Sequence, residues 1–365
     1  MPYADEKPPL TKPGEPITGH SLQTFFPGYF ALVMATGIVS IGAFLYNLKL
    51  LAHILFIANI VFYVALWLIF AARAIKYPYD VWKDITSSSR GGTFLTMVAA
   101  NNVLGNQFAL MTSHKYEAIF LWEFGLALWV IITYTFFVVI TAKEPKHGLE
   151  TSLSGAWLLI VVATESVAVL GTLVAGDMLY KDVVIFVSFC AFLIGGMHYM
   201  VFISLIIYRW LFISMKAELL TPPYWINMGA VAITTLAGSR LIMYSQHNHW
   251  IPGIQYFLPG LTVLFWAFAT WWIPILILLP IWRHVIQKVP LKYDPQYWSL
   301  VFPAGMYAVA THNLSKAIGI PFIMPVSHVF IYFSMGAWAI VFIGMVRSIA
   351  RLKRPGKQQP NISET

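Results

Sequence analysis

Charge is scarce in this chain. Of its 365 residues only 10% are charged, against 59% hydrophobic. Soluble domains carry roughly a quarter charged residues, so this chain cannot cover its surface for water and must have lipid as its solvent. It has a single cysteine, Cys190, which excludes an internal disulfide and any cysteine-based metal cluster. No phosphate-binding glycine loop occurs, so nothing points to an ATP-driven pump. No HExxH or clustered His/Cys/Asp set points to a metal site, a cofactor or a catalytic centre. No apolar stretch heads the chain, so no cleavable signal peptide is expected. Residues 1–24 are polar and proline-rich and read as a disordered cytoplasmic tail, and residues 351–365 as a basic, then polar one. The formal net charge of +8 does not imply nucleic acid, because the cations sit in short loops between apolar runs.

What is present is apolar length. A helix crosses ~30 Å of hydrocarbon in roughly 20 residues. Ten segments within 25–350 reach that length: about 25–46, 51–74, 93–112, 116–141, 153–174, 182–212, 223–245, 256–284, 297–315 and 322–349. With a cytoplasmic N-terminus, only Lys49, Lys115, Lys181, Arg240 and Lys316 of the 23 Lys and Arg residues fall outside. That bias supports both the span count and the orientation, with both termini on the cytoplasmic side of the cell membrane. The expected fold is an all-α integral membrane protein of ten transmembrane helices.

The odd spans begin alike. They open with Pro27-Gly28-Tyr29-Phe30, Gly91-Gly92-Thr93-Phe94, Ser154-Gly155-Ala156-Trp157, Pro222-Pro223-Tyr224-Trp225 and Pro295-Gln296-Tyr297-Trp298. From Phe30 to Trp298 the aromatic recurs at steps of 64, 63, 68 and 73 residues, each covering two spans. This reads as five tandem helix hairpins. Units with an even number of spans all start on one side, so they are related by rotation about the membrane normal. Two concentric rings of five helices follow.

Small and polar groups gather at mid-depth in the odd spans: Thr36 and Gly37, Asn101 and Asn102, Thr164 and Glu165, Thr234 and Thr235. The even spans carry bulky apolar residues such as Trp67, Trp129, Trp266 and Trp338. Small and polar side chains belong at helix contacts or a wet cavity, and large apolar ones face lipid. The odd spans are therefore expected to line a central pore, with these polar residues as candidates for its lining and for helix–helix contacts alike. Glu165 is costly as a buried carboxylate, so it should pair, face water or hold a proton, and a proton there could couple transport to pH. Arg240 lies near the outer mouth, where its guanidinium could collect anions. His312 and Asn313 fall late in the ninth span and could bind substrate or shuttle a proton.

The runs Phe30-Ala31-Leu32-Val33-Met34-Ala35-Thr36-Gly37, Trp225-Ile226-Asn227-Met228-Gly229-Ala230 and Tyr297-Trp298-Ser299-Leu300-Val301-Phe302-Pro303-Ala304-Gly305-Met306-Tyr307 resemble the tellurite-resistance/C4-dicarboxylate transporter family. That family includes fungal malate and sulfite permeases and the slow anion channels of plants. The resemblance covers roughly 25–350. It implies ten spans in five hairpins, an inner ring of odd helices around a pore, and a homotrimer with one pore per subunit. It also implies a phenylalanine before a proline that plugs the pore; by motif this is Phe302, followed by Pro303. A ring in a narrow apolar pore blocks it sterically and by dewetting, and a proline can kink the helix beside it.

The leading expectation is transport of small anions, with C4-dicarboxylates such as malate first. A passive gated channel for chloride or nitrate, and efflux of tellurite or sulfite, stand as alternatives. An intramembrane enzyme would need a nucleophile and base at one depth, and Glu165, His198 and His312 are too scattered in sequence to suggest one. The expected partners are a small anion and the lipid bilayer.

Overall fold

The computed structural model describes residues 22–144, 148, 153–214, 216–248 and 253–352. Among these residues there is no strand. Eleven α-helices occur: α1 Ala31–Leu45, α2 Lys49–Lys76, α3 Pro78–Ile85, α4 Leu95–Met111, α5 Lys115–Ala142, α6 Leu159–Val174, α7 Lys181–Phe212, α8 Ile226–His247, α9 Ile254–Ile281, α10 Trp298–Ala317 and α11 Met324–Leu352. All are long except α3, which fills the connection read from sequence as a loop. Leu22–Thr24 form a 3₁₀ turn, and Arg351 and Leu352 continue α11. The rest of the two tails, 1–21 and 353–365, lies outside the described residues.

Eight segments are long and apolar enough to cross a membrane. The long helices that miss this standard are α4, with Asn101, Asn102, Asn106 and Gln107, and α10, with Thr311, His312, Asn313 and Ser315. Their polar content is tolerable because they are shielded. Residues 95–107 and 301–315 are buried without a break.

The long helices form two populations. The apolar windows of α6 and α8 are 89% buried within the protein, and those of α2 and α11 only 17%. A helix apolar on every face is either surrounded by protein or set in lipid, and both kinds occur here. Each buried helix packs on the peripheral helix that follows it: α1 on α2, α4 on α5, α6 on α7, α8 on α9, α10 on α11. The buried helices also pack side by side in the order α1, α4, α6, α8, α10, and α10 closes on α1. Pro303 lies inside α10, and the close approach of α8 accommodates it: a Cβ on Gly229 would stand 2.7 Å from the Pro303 Cγ.

One ion-pair network anchors the end of the molecule at which α2 finishes. Arg73, near the end of α2, is buried with Asp84 of α3 at 2.7 Å, and its Nε donates to the Gln23 carbonyl at 2.9 Å. Arg90 shares the same carboxylate at 2.9 Å. Removing one partner of a buried pair strands the other charge, at a cost of roughly 3–5 kcal/mol. Asp84→Ala is therefore expected to lower the thermal midpoint of the purified protein markedly. Asp80→Ala, which removes only the exposed bond from Gln23, should leave it nearly unchanged. Equal midpoints for both variants would disprove the anchoring role of Asp84.

Candidate functional site

The five buried helices all begin in the same way. A 3₁₀ turn precedes each: Pro27–Phe30, Gly91–Phe94, Gly155–Leu158, Pro222–Trp225 and Pro295–Tyr297. These are the recurring aromatic motifs of the sequence. Every turn opens with Pro or Gly. Proline suits a first helical position because its missing N–H would be unpaired there, and glycine permits close contact. Gly155 shows this directly, since a Cβ there would collide with the Pro223 carbonyl. The five turns touch in the same cyclic order as their helices.

Inside this ring lies a cavity of about 220 Å³ to which all five helix starts contribute. Its polar lining is Ser89, Thr93, Thr96, Ser154, Thr221, Gln296 and Ser299. Sequence reasoning missed these residues because it looked for polar groups at mid-depth; the recurring turn motifs were the available signal. Helix N-termini carry partial positive charge and unpaired N–H groups, so five of them around one cavity favour an anion. Two turns spend donors internally: Ala156 donates to the Ser154 hydroxyl, and Gln296 to the Asp294 carboxylate at 2.8 Å.

Helical periodicity carries the cavity's face inward. Ala31, Thr96, Leu159, Ile226 and Ser299 line it. Residues three or four further on share the same helix face: Met34 and Ala35, Ala99 and Ala100, Val162 and Ala163, Gly229 and Ala230, Phe302 and Pro303. All ten are buried. Phe302 is the one aromatic among these ten.

Several mid-depth polar residues bond between helices. Each of Thr36, Asn101 and Thr164 follows one of these alanines by one position and meets a peripheral helix. Trp338 donates to the Thr36 hydroxyl at 3.0 Å, Tyr63 to the Asn101 side-chain carbonyl at 2.8 Å, and Trp129 to the Thr164 hydroxyl at 2.8 Å. Asn102 donates to Ser166 on the neighbouring α6 at 2.9 Å. Thr234 and Thr235 donate to the Ala230 and Val231 carbonyls of their own helix. Gly37 lets α1 approach α2 and α4, since a Cβ there would stand 2.9 Å from the Asn59 Nδ2.

Three ionisable candidates occupy separate places. Glu165 is fully buried and packs on Gly195 of α7, where any Cβ would overlap its carboxyl group. Neither of its oxygens has a hydrogen-bond partner. Arg240 is partly buried in the second half of α8, away from the helix starts. His312, at a similar level on α10, is 6% exposed, with both ring nitrogens unpartnered and its ring edge-on to Tyr46 at 5.4 Å. His198 stacks instead on Phe137 of α5.

The model of the voltage-dependent anion channel family matches residues 24–346. The chain belongs to that family. A transporter of Methanocaldococcus jannaschii, otherwise uncharacterized, is 20% identical over 90% of this chain and 96% of its own length. The sulfite efflux pump SSU1 of Arthroderma benhamiae is 22% identical, over 88% and 90%. A shorter stretch, 40% of this chain, is 37% identical to 74% of an uncharacterized membrane protein of Mycobacterium tuberculosis. The family resemblance seen in the sequence motifs therefore stands, and with it a multi-pass membrane protein of anion channel and transporter type.

For a member of this family, the placement of Thr164 makes a sharp expectation. Thr164→Val should remove the Trp129 bond and cost about 0.6–1.7 kcal/mol of stability, the range for interhelical bonds in membranes. Anion flux per folded molecule should stay near wild type. A large flux change at unchanged stability would return Thr164 to the conduction path.

Proposed function

We propose that this protein carries small anions along the axis of its five buried helices, with the cavity at the helix starts as the cytoplasmic vestibule and Phe302 as the plug above it. In this reading all ten long helices span the membrane with both termini cytoplasmic, and Pro303 shapes the helix at the plug. What supports it is the helical register: one turn on from the residues that line the cavity, Phe302 is the one large aromatic among small or aliphatic side chains. Small side chains around an axis would leave room for a path, and a single phenyl ring would close it. Dewetting of so apolar a constriction is a barrier to ions even without full steric closure.

The substrate we favour is a C4-dicarboxylate such as malate. Sulfite is the first alternative, because a full-length relative bears that activity in its name. Arg240 on the outer side would meet the anion as it leaves or arrives, and His312 adds an imidazole without hydrogen-bond partners at a similar level. The homotrimer remains part of the proposal, one path to each subunit. A proton-coupled variant is favoured by one specific feature, the carboxyl group of Glu165 buried with no partner. Thr234 spends its only hydroxyl proton on the Ala230 carbonyl, so a bond between Thr234 and Glu165 would need the carboxyl as donor.

Reconstituted liposomes test both. Phe302→Ala should raise voltage-driven flux of malate, sulfite or nitrate severalfold over wild type. Unchanged flux in a well-folded Phe302→Ala protein would sink the plug. Uptake that requires a proton gradient, and disappears in Glu165→Gln, would mark a coupled carrier; indifference to both marks a passive channel.

The vestibule also implies a pH dependence. Asp294 sits at its edge, outside the spans. Burial lifts its carboxyl above the usual aspartate range, while the Gln296 N–H and the Arg283 guanidinium pull the other way. Above its pKa Asp294 is a negative charge facing incoming anions. As cytoplasmic pH falls into the raised range, the proton returns and that repulsion is lost. Anion flux from the cytoplasmic side should therefore rise on mild acidification, and Asp294→Asn should show the high flux at every pH. Inside-out patches can read this; a pH step of full size in Asp294→Asn would assign it to another group.

A further inference from the structure

A second cavity lies at the cytoplasmic edge of the molecule, away from the axis. Its volume is about 210 Å³, and it runs between the end of α9 and the starts of α8 and α10. Trp225, Leu276, Leu279, Pro280 and Leu300 make its walls apolar. Arg283 and His284 line the same cleft.

The chain builds this edge in an unusual way. After α9 the helix widens into a π turn, Trp282–Ile286. Lys288 then takes a left-handed conformation, with φ 54°. Val289 folds back to donate to the Arg283 carbonyl at 3.1 Å, and His284 Nδ1 donates to the Val289 carbonyl at 2.8 Å. The result is an ordered turn. Val285, Ile286 and Leu291 are exposed at 68%, 64% and 73%, and they alternate with Arg283, His284, Lys288 and Lys292. Apolar side chains left bare beside cations belong at a membrane interface, with the first group in the acyl region and the second among headgroups.

Arg283 differs from its counterparts. Among the arginines near the ends of peripheral helices, Arg73 pairs with Asp84, and Arg209 donates to the Leu153 carbonyl and the Tyr224 hydroxyl. Each of the three leaves one buried guanidinium nitrogen without a hydrogen-bond partner, Nη1 in Arg73 and Nε in Arg209 and Arg283, but Arg283 alone makes no side-chain hydrogen bond or ion pair among the described residues. Asp294 acts on it through space only, with no ion pair between them among the described residues.

We infer that this cleft binds an anionic phospholipid of the cytoplasmic leaflet, its phosphodiester on Arg283 and its acyl chain along Leu276, Leu279 and Leu300. A guanidinium with free donors suits phosphate oxygens. The apolar walls have no use for a small free anion, whereas a lipid satisfies both halves of the cleft. Basic pockets between helices on this side are suited to such headgroups.

The test uses full-length protein in nanodiscs of phosphatidylcholine, into which phosphatidylglycerol is titrated. The readouts are the thermal midpoint and the lipid retained in native mass spectrometry. Phosphatidylglycerol should raise the midpoint in a saturable way, with one molecule held per chain. Arg283→Gln should lose the shift and the retained lipid. Leu279→Trp, which fills the cleft and leaves the cations in place, should lose both as well. Glycerol phosphate and inorganic phosphate should produce no shift. The inference is overturned if both variants keep the shift, if phosphatidylcholine retains as well as phosphatidylglycerol, or if phosphate alone reproduces the effect. It is also overturned if Leu279→Trp changes the oligomeric state with the lipid shift intact, since a second copy would then own the cleft. None of these readouts depends on transport.

Discussion

Everything in this molecule is arranged around five helix starts brought to one level. In a membrane every backbone donor has to be satisfied within the protein or face water, and a helix start leaves several unpaired. Here the donors are gathered at one cavity of about 220 Å³. To bring them together the turns must nearly touch, which is why Gly155 lies against the Pro223 carbonyl with no room for a side chain. Once the starts are set, so is the rotation of each helix. In α1, α4 and α6 that rotation leaves Thr36, Asn101 and Thr164 bonded to the peripheral ring.

That rotation separates what was legible in the sequence from what was not. The apolar runs located the ten long helices closely, and the recurring aromatic motifs marked the five starts. The same runs could not say which way each helix faces. A helix whose residues are apolar almost all round has no amphipathic stripe to read, so polarity alone left Thr36, Asn101 and Thr164 open to lining or to helix contacts, and the structure adds their bonds to Trp338, Tyr63 and Trp129. Ser299 on the cavity, three residues before Phe302, is one fixed point of register. The helix α3 was illegible for another reason. It is short and polar, and it owes its place to Asp84 reaching the buried Arg73, a contact between parts of the chain that no periodicity records.

The polar seams and the unpaired groups have different meanings. A bond from tryptophan to threonine between neighbouring helices fixes rotation at modest cost, since both partners are satisfied. Glu165 and His312 are the opposite case. Each is buried with polar atoms unpaired, an arrangement that costs stability wherever it occurs.

Electrostatics at the vestibule show how attraction can coexist with release. A strongly bound anion would not move on, so conduction needs a site that draws without trapping. A bare arginine in the cavity would trap. Arg90 stands at the cytoplasmic edge, but it shares the carboxylate of Asp84 with Arg73, so two cations and one anion leave a diffuse single positive charge. The cavity wall itself offers hydroxyls and helix ends, partial charges spread over five positions. Asp294 then subtracts from this field when ionised and drops out when protonated. The attraction is therefore weak, delocalised and adjustable, and in the proposed path the steep part of the barrier falls to the phenyl ring of Phe302.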